Sequence, residues 1–166
     1  MKLDAQKYRE ILRDSGSVTP TFAAPDEKFR EWLSQKRVPL PLVEFLIENA
    51  VRDEVPIDSG CGGMWTPEGI MENNDQKSAI LASGLLAVGH SIIGDFIAID
   101  LTEGIDEVGY VSHEELRGDP PADIRDIFDP VAASIHEMLA EMAAESDDYP
   151  AAQERRELRG GRLSSD

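Results

Sequence analysis

The feature that most constrains the fold is a series of three short apolar segments between Ala79 and Val111, joined by links too short to hold a helix. Ile80–Val88, Asp95–Leu101 and Glu107–Val111 each have the length of a strand. The links Gly89-His90-Ser91-Ile92-Ile93-Gly94 and Thr102-Glu103-Gly104-Ile105-Asp106 are of hairpin length. In the middle segment Ile97, Ile99 and Leu101 fall on one face, and Phe96, Ala98 and Asp100 on the other. The expected architecture is α+β, an antiparallel or mixed β-sheet built as a meander and backed by helices on one face.

Helical patterns flank this meander. Tyr8, Ile11 and Leu12 have helical spacing within residues 1–14, and Gly16 supplies a stop; Ser15–Pro25 reads as a linker. A second helix is expected over Asp26–Arg37, with acids in its first turn, bases in its last, and Phe29, Trp32 and Leu33 on one face. Pro39-Leu40-Pro41 breaks the chain and opens a third, Leu42–Ala50. Between residues 51 and 78 the pattern is weaker: Gly60-Cys61-Gly62-Gly63 predicts a loop, and Met64–Met71 a short strand interrupted by Pro67. Ser112 and Glu115 form a capping box. Ile127–Glu145 is expected as one long helix, with Phe128, Val131, Ile135, Met138, Leu139 and Met142 in a single stripe. The polar end reads as a disordered tail. The chain thus divides into a leading helix and linker (1–25), an α+β domain (26–148) and a tail (149–166).

Hydrophobic residues make up 41% of the chain and charged residues 30%, a globular rather than a disordered composition. The net charge of −17 is unevenly placed: residues 91–150 carry two basic and sixteen acidic groups, whereas residues 1–50 balance. Such a field repels nucleic acid and anionic membrane and speeds encounter with a basic protein partner. One cysteine, Cys61, allows no intramolecular disulfide. The opening Met1-Lys2-Leu3-Asp4-Ala5-Gln6-Lys7 lacks the apolar core of a signal peptide, and the apolar stretch Ala79–Leu101 is interrupted by Ser83, Gly84, Gly89, His90, Gly94 and Asp95. A cytoplasmic location, off the membrane, is expected.

Several catalytic and metal patterns are approached and missed. Gly89–Gly94 departs from the nucleophile elbow because residue 93 is Ile and a strand follows. Gly60–Trp65 places Met64 where a cysteine-protease signature has its nucleophile, and nothing in the sequence puts His90, His113 or His136 beside Cys61. His113-Glu114 is followed by Arg117 where a zinc helix needs its second histidine. Asp100–Gly104 has its glycine one position early for a calcium loop, and Gly94 precedes Asp95 where a phosphate loop has lysine. No catalytic, cofactor-binding or metal-binding residue is therefore assigned, and no cofactor is expected.

Three runs in the meander resemble the core of the SUKH superfamily: Gly84-Leu85-Leu86-Ala87-Val88-Gly89, Gly94-Asp95-Phe96-Ile97-Ala98-Ile99-Asp100-Leu101, and Val108-Gly109-Tyr110-Val111-Ser112-His113-Glu114. Leu40-Pro41-Leu42-Val43-Glu44-Phe45-Leu46 is similar to that family's helix entry, and Val131–Leu139 to its closing helix. The resemblance covers residues 26–145 and departs at Cys61–Met71. It implies a SUKH-like fold that binds proteins without catalysis, as cell-wall-assembly regulators and immunity proteins of bacterial toxin systems do.

The leading expectation is a non-catalytic immunity-type or regulatory domain that binds and neutralises a basic partner such as a toxin domain. Its candidate partner surface is Asp95, Asp100, Glu103, Asp106, Glu107, Glu114 and Glu115, although Gly94 and Asp95 are expected to shape the turn more than to touch a partner. One alternative is a scaffold subunit using the apolar helices of 26–50; another is a small enzyme using carboxylates or Cys61.

Overall fold

The computed structural model describes residues 3–15, 19–24, 26–57, 62–91, 93–103, 107–118 and 121–144. Among these residues, six strands form one antiparallel sheet in chain order: β1 (Val55–Pro56), β2 (Gly62–Met64), β3 (Leu85–Ser91), β4 (Phe96–Asp100), β5 (Val108–Val111) and β6 (Phe128–Ala132). Seven helices among the described residues accompany it: α1 (Ala5–Ser15), α2 (Glu27–Gln35), α3 (Leu40–Glu48), α4 (Pro67–Gln76), α5 (Ser78–Ala82), α6 (His113–Arg117) and α7 (Ile135–Ala144). The expected α+β class and the β4–β5 hairpin are both present.

Three expected elements differ. Met64–Met71 is not a strand: the chain leaves β2 at Met64, the Thr66 hydroxyl accepts from the Gly69 N–H, and Pro67 opens α4. Proline suits the first turn of a helix, where its missing N–H costs nothing. The strand expected from Ile80 begins only at Leu85, after α5 has ended at a left-handed Gly84 (φ +75°). The helix expected from Ile127 starts at Ile135, because Phe128–Ala132 pairs with β5 as an edge strand. Pro130 lies within that strand. It would break a helix but is tolerated at a sheet edge. Gly109 permits the pairing, since a Cβ there would stand 2.1 Å from the Asp129 carbonyl oxygen.

The alternation predicted for β4 places Ile97 and Ile99 in the main core, with Leu86 and Val88 of β3 and Val108 and Tyr110 of β5. Helices α1, α2, α3, α4 and α7 cover that face. The opposite face is also buried, which corrects the expectation of helices on one face only. Leu85, Ala87, Phe96, Ala98 and Val111 pack there against Ile80 of α5 and Ile124, Ile127 and Phe128. With both faces of the central strands apolar, both must be covered. Tyr8 and Leu12 of α1 are buried in the main core, and the Tyr8 ring meets Phe45 edge-on at 5.2 Å, so the leading helix shares the core of the rest. The expected tail, 149–166, lies outside the described residues.

Candidate functional site

Strand β4 is bounded by aspartates, and both are interior. Asp95 is 2% exposed and Asp100 3%. Neither offers its carboxylate to a partner, which removes both from the partner surface expected from sequence; the turn-shaping role expected of Asp95 fits its burial.

At the far end of β4, Asp100 is held by Arg125, which lies in the 3₁₀ turn Ile124–Ile127. Arg125 Nη1 donates to Oδ2 at 2.6 Å, and Nη2 donates to Oδ1 at 2.8 Å. Nη2 also donates to the Thr102 hydroxyl, and Nε to the Ser83 carbonyl, each at 2.8 Å. The Thr102 N–H closes the set on Asp100 Oδ1 at 2.7 Å. A planar fork engaging both carboxylate oxygens is the strong form of this contact. Burial pushes the Asp100 carboxyl up, but the hydrogen bonds from Arg125 and Thr102 and the guanidinium charge outweigh it and hold the group below the usual carboxylate range. Asp100 in turn raises Arg125, and the nearby Asp123 and Glu107 carboxylates add to that effect. The latch ties the sheet to the layer on its second face.

At the near end, Asp95 Oδ1 accepts the backbone N–H of His113 at 3.0 Å and lies 3.0 Å from His113 Nδ1. The Asp95 N–H donates to the Ser91 hydroxyl at 3.1 Å, and Gly94 takes φ +91° to make the turn. Ser112 caps α6 by accepting from the Glu115 N–H at 3.4 Å. His113 therefore has an orienting carboxylate, as a general base would, but no serine, threonine or cysteine lines the adjacent pocket among the described residues.

Of the seven acids expected as one surface, the six among the described residues fall at two ends. Asp100, Glu103 and Glu107 belong to the β4–β5 link, where the Asp100 N–H donates to the Glu107 carbonyl at 2.9 Å. Asp95, Glu114 and Glu115 belong to the end where Phe96 pairs with Val111. Roughly 17 Å separates the ends, at about 3.3 Å per residue along the strand. Glu103, Glu107 and Glu114 are exposed, Glu115 is half-buried, and Asp106 lies outside the described residues.

Cys61 also lies outside the described residues, and the histidines occupy separate places. His90 accepts from Trp65 Nε1 at 2.9 Å and stands 3.4 Å from Glu54, while buried His136 is 3.3 Å from the Ser134 hydroxyl. Among the described residues no three His, Cys, Asp or Glu side chains gather as a metal would require, and no helix is long and apolar enough to cross a membrane. The apolar residues of 26–50 on which a scaffold role would rest, Phe29, Leu33, Leu42, Phe45, Leu46 and Ile47, are buried in the chain's own core. The sequence alone did not single out Arg125 as a partner of Asp100 or Trp65 as a partner of His90. The available signal was the scarcity of cations, since Arg117 and Arg125 are the only two in residues 91–150.

Comparison of the chain with family models, with curated proteins and with solved structures gave no match.

Proposed function

We propose that this chain is a non-catalytic protein-binding domain of the immunity or regulatory kind, which captures a basic partner such as a toxin domain through the acidic end of its β4–β5 hairpin. The observation that carries this is the composition of that end. Glu103 and Glu107 are exposed, Asp123 is exposed beside them, and the neighbouring cation, Arg125, is already committed to Asp100. The end is thus anionic towards solvent and anchored to the sheet beneath it. An anionic surface of this kind speeds association with a cationic one and makes it sensitive to salt. The SUKH-like order of segments supports the same role by resemblance, and a cytoplasmic setting belongs to the proposal.

The test is affinity capture from the native lysate with tagged chain, eluted by a salt gradient. The chain itself is compared with a Glu103→Lys/Asp106→Lys/Glu107→Lys variant and a Glu114→Lys/Glu115→Lys variant. The expected result is one dominant basic protein, released by moderate salt, lost with the first variant and kept with the second. Equal capture by all three would overturn the assignment.

A further inference from the structure

We propose that the pocket beside the Asp95–His113 pair binds a small organic carboxylate with an apolar body, at the end of the hairpin opposite the proposed partner surface. The pocket has a volume of about 340 Å³. Small-molecule sites span about 300–1,000 Å³, so this one suits a ligand of few atoms. Its walls come from separate elements: Lys77 from the junction of α4 and α5, Ile93 from the β3–β4 turn, Phe96 from β4, and His113, Leu116 and Arg117 from α6.

Three cationic or cation-forming side chains meet here in a chain of net charge −17. Of the two cations in residues 91–150, Arg125 is spent on Asp100, while Arg117 forms no ion pair among the described residues; Lys77 likewise forms none. Both are exposed. The turn of α6 produces the segregation: at about 100° per residue, His113, Leu116 and Arg117 share one side while Glu114 and Glu115 point away. The Asp95 carboxylate fixes the His113 ring through the 3.0 Å contact with Nδ1, so the imidazole is positioned before any ligand arrives.

The rest of the lining sets the ligand's other half. Ile93 is 42% exposed and, with Leu40, makes up the exposed large apolar residues among those described. Phe96 and Leu116 continue that apolar wall. A bare inorganic anion would leave the wall wet, and a polyanion would be repelled by the chain's overall field. A single carboxylate joined to a compact apolar group satisfies both parts, since a guanidinium pairs with carboxylate through two parallel hydrogen bonds.

The experiment is a titration of the ¹⁵N-labelled full chain with phenylacetate, followed by backbone amide shifts, with phenethylamine and inorganic phosphate as parallel probes. Phenylacetate is expected to give saturable shifts at Gly94, Phe96, His113 and Arg117. Phenethylamine, of the same shape and opposite charge, is expected to give none. A Lys77→Gln/Arg117→Gln variant should bind phenylacetate about tenfold more weakly. Shifts that are absent, scattered over the chain, equal with the amine or unchanged in the variant would overturn the proposal. Phosphate binding as tightly as phenylacetate would overturn the organic-carboxylate assignment. Should the variant not fold, the comparison of acid with amine on the unaltered chain still decides.

Discussion

The two ends of β4 are each closed by a buried aspartate, but they differ in what the aspartate holds. Asp100 meets a guanidinium brought from 25 residues away, and the contact locks the sheet to the layer on its second face. Asp95 meets the first residue of the next helix, through a backbone N–H and an imidazole, and the contact orients a side chain at the rim of a pocket. One end is a closed joint with carboxylates outside it. The other is an open recess with cations around it. Burial of the acid is the same in both cases; the identity and sequence distance of the partner decide whether the end serves the fold or presents a site.

The largest expected effect separates the two as structural elements. Arg125→Met leaves a buried carboxylate without its counter-charge and should cost about 3 kcal/mol in urea unfolding. Adding Asp100→Asn should recover part of that loss, because the uncompensated charge is removed. A loss under about 0.5 kcal/mol, the ordinary range of surface substitutions, would mean that the latch is not structural. Asp95→Ala should cost less, about 2 kcal/mol, since it removes an acceptor from one N–H and one ring nitrogen without stranding a charge. Asp95→Asn, which keeps an acceptor oxygen, should restore part of it.

Acid titration sharpens the contrast further. The folded state holds the Asp100 carboxyl below its ordinary value, so the unfolded chain binds more protons there. Its contribution is complete above about pH 4, the ordinary aspartate range, and is lost as pH falls through the folded value. Stability should therefore climb with pH across the acid range, and the Asp100→Asn/Arg125→Met chain should show a shallower climb. Identical slopes would place the acid sensitivity elsewhere. The smallest effect is expected for Glu103→Lys with Glu107→Lys, which should leave stability within about 0.5 kcal/mol per site, because both are exposed.

What the sequence made legible follows from how local each signal is. The β4–β5 hairpin was readable because two short apolar segments are joined by a link of hairpin length, and α2 because acids open it and Phe29, Trp32 and Leu33 share one face; Asp26 proves to be its cap, accepting from the Lys28 and Phe29 N–H groups. Ile80–Val88 was misread because a continuous apolar run has no period to distinguish helix from strand, and Gly84 divides it. Phe128, Val131 and Ile135 imitate a helical stripe, yet Pro130 between them is incompatible with a helix interior. The site was least legible. Sequence showed where acids are dense but not that the pairing of β4 with β5 sends them to opposite ends, nor that Arg125 returns to Asp100. Such contacts depend on tertiary placement, which no window of neighbouring residues contains.

The most direct test of the account is the association rate of the captured partner at low and at physiological salt, measured for the unaltered chain and for both charge-reversal variants. Reversal at Glu103, Asp106 and Glu107 should slow association by about tenfold or more at low salt, and the difference should shrink as salt is added. Reversal at Glu114 and Glu115 should have the smaller effect. Equal slowing by both variants, or a rate indifferent to either, would contradict the assignment of recognition to the acidic end.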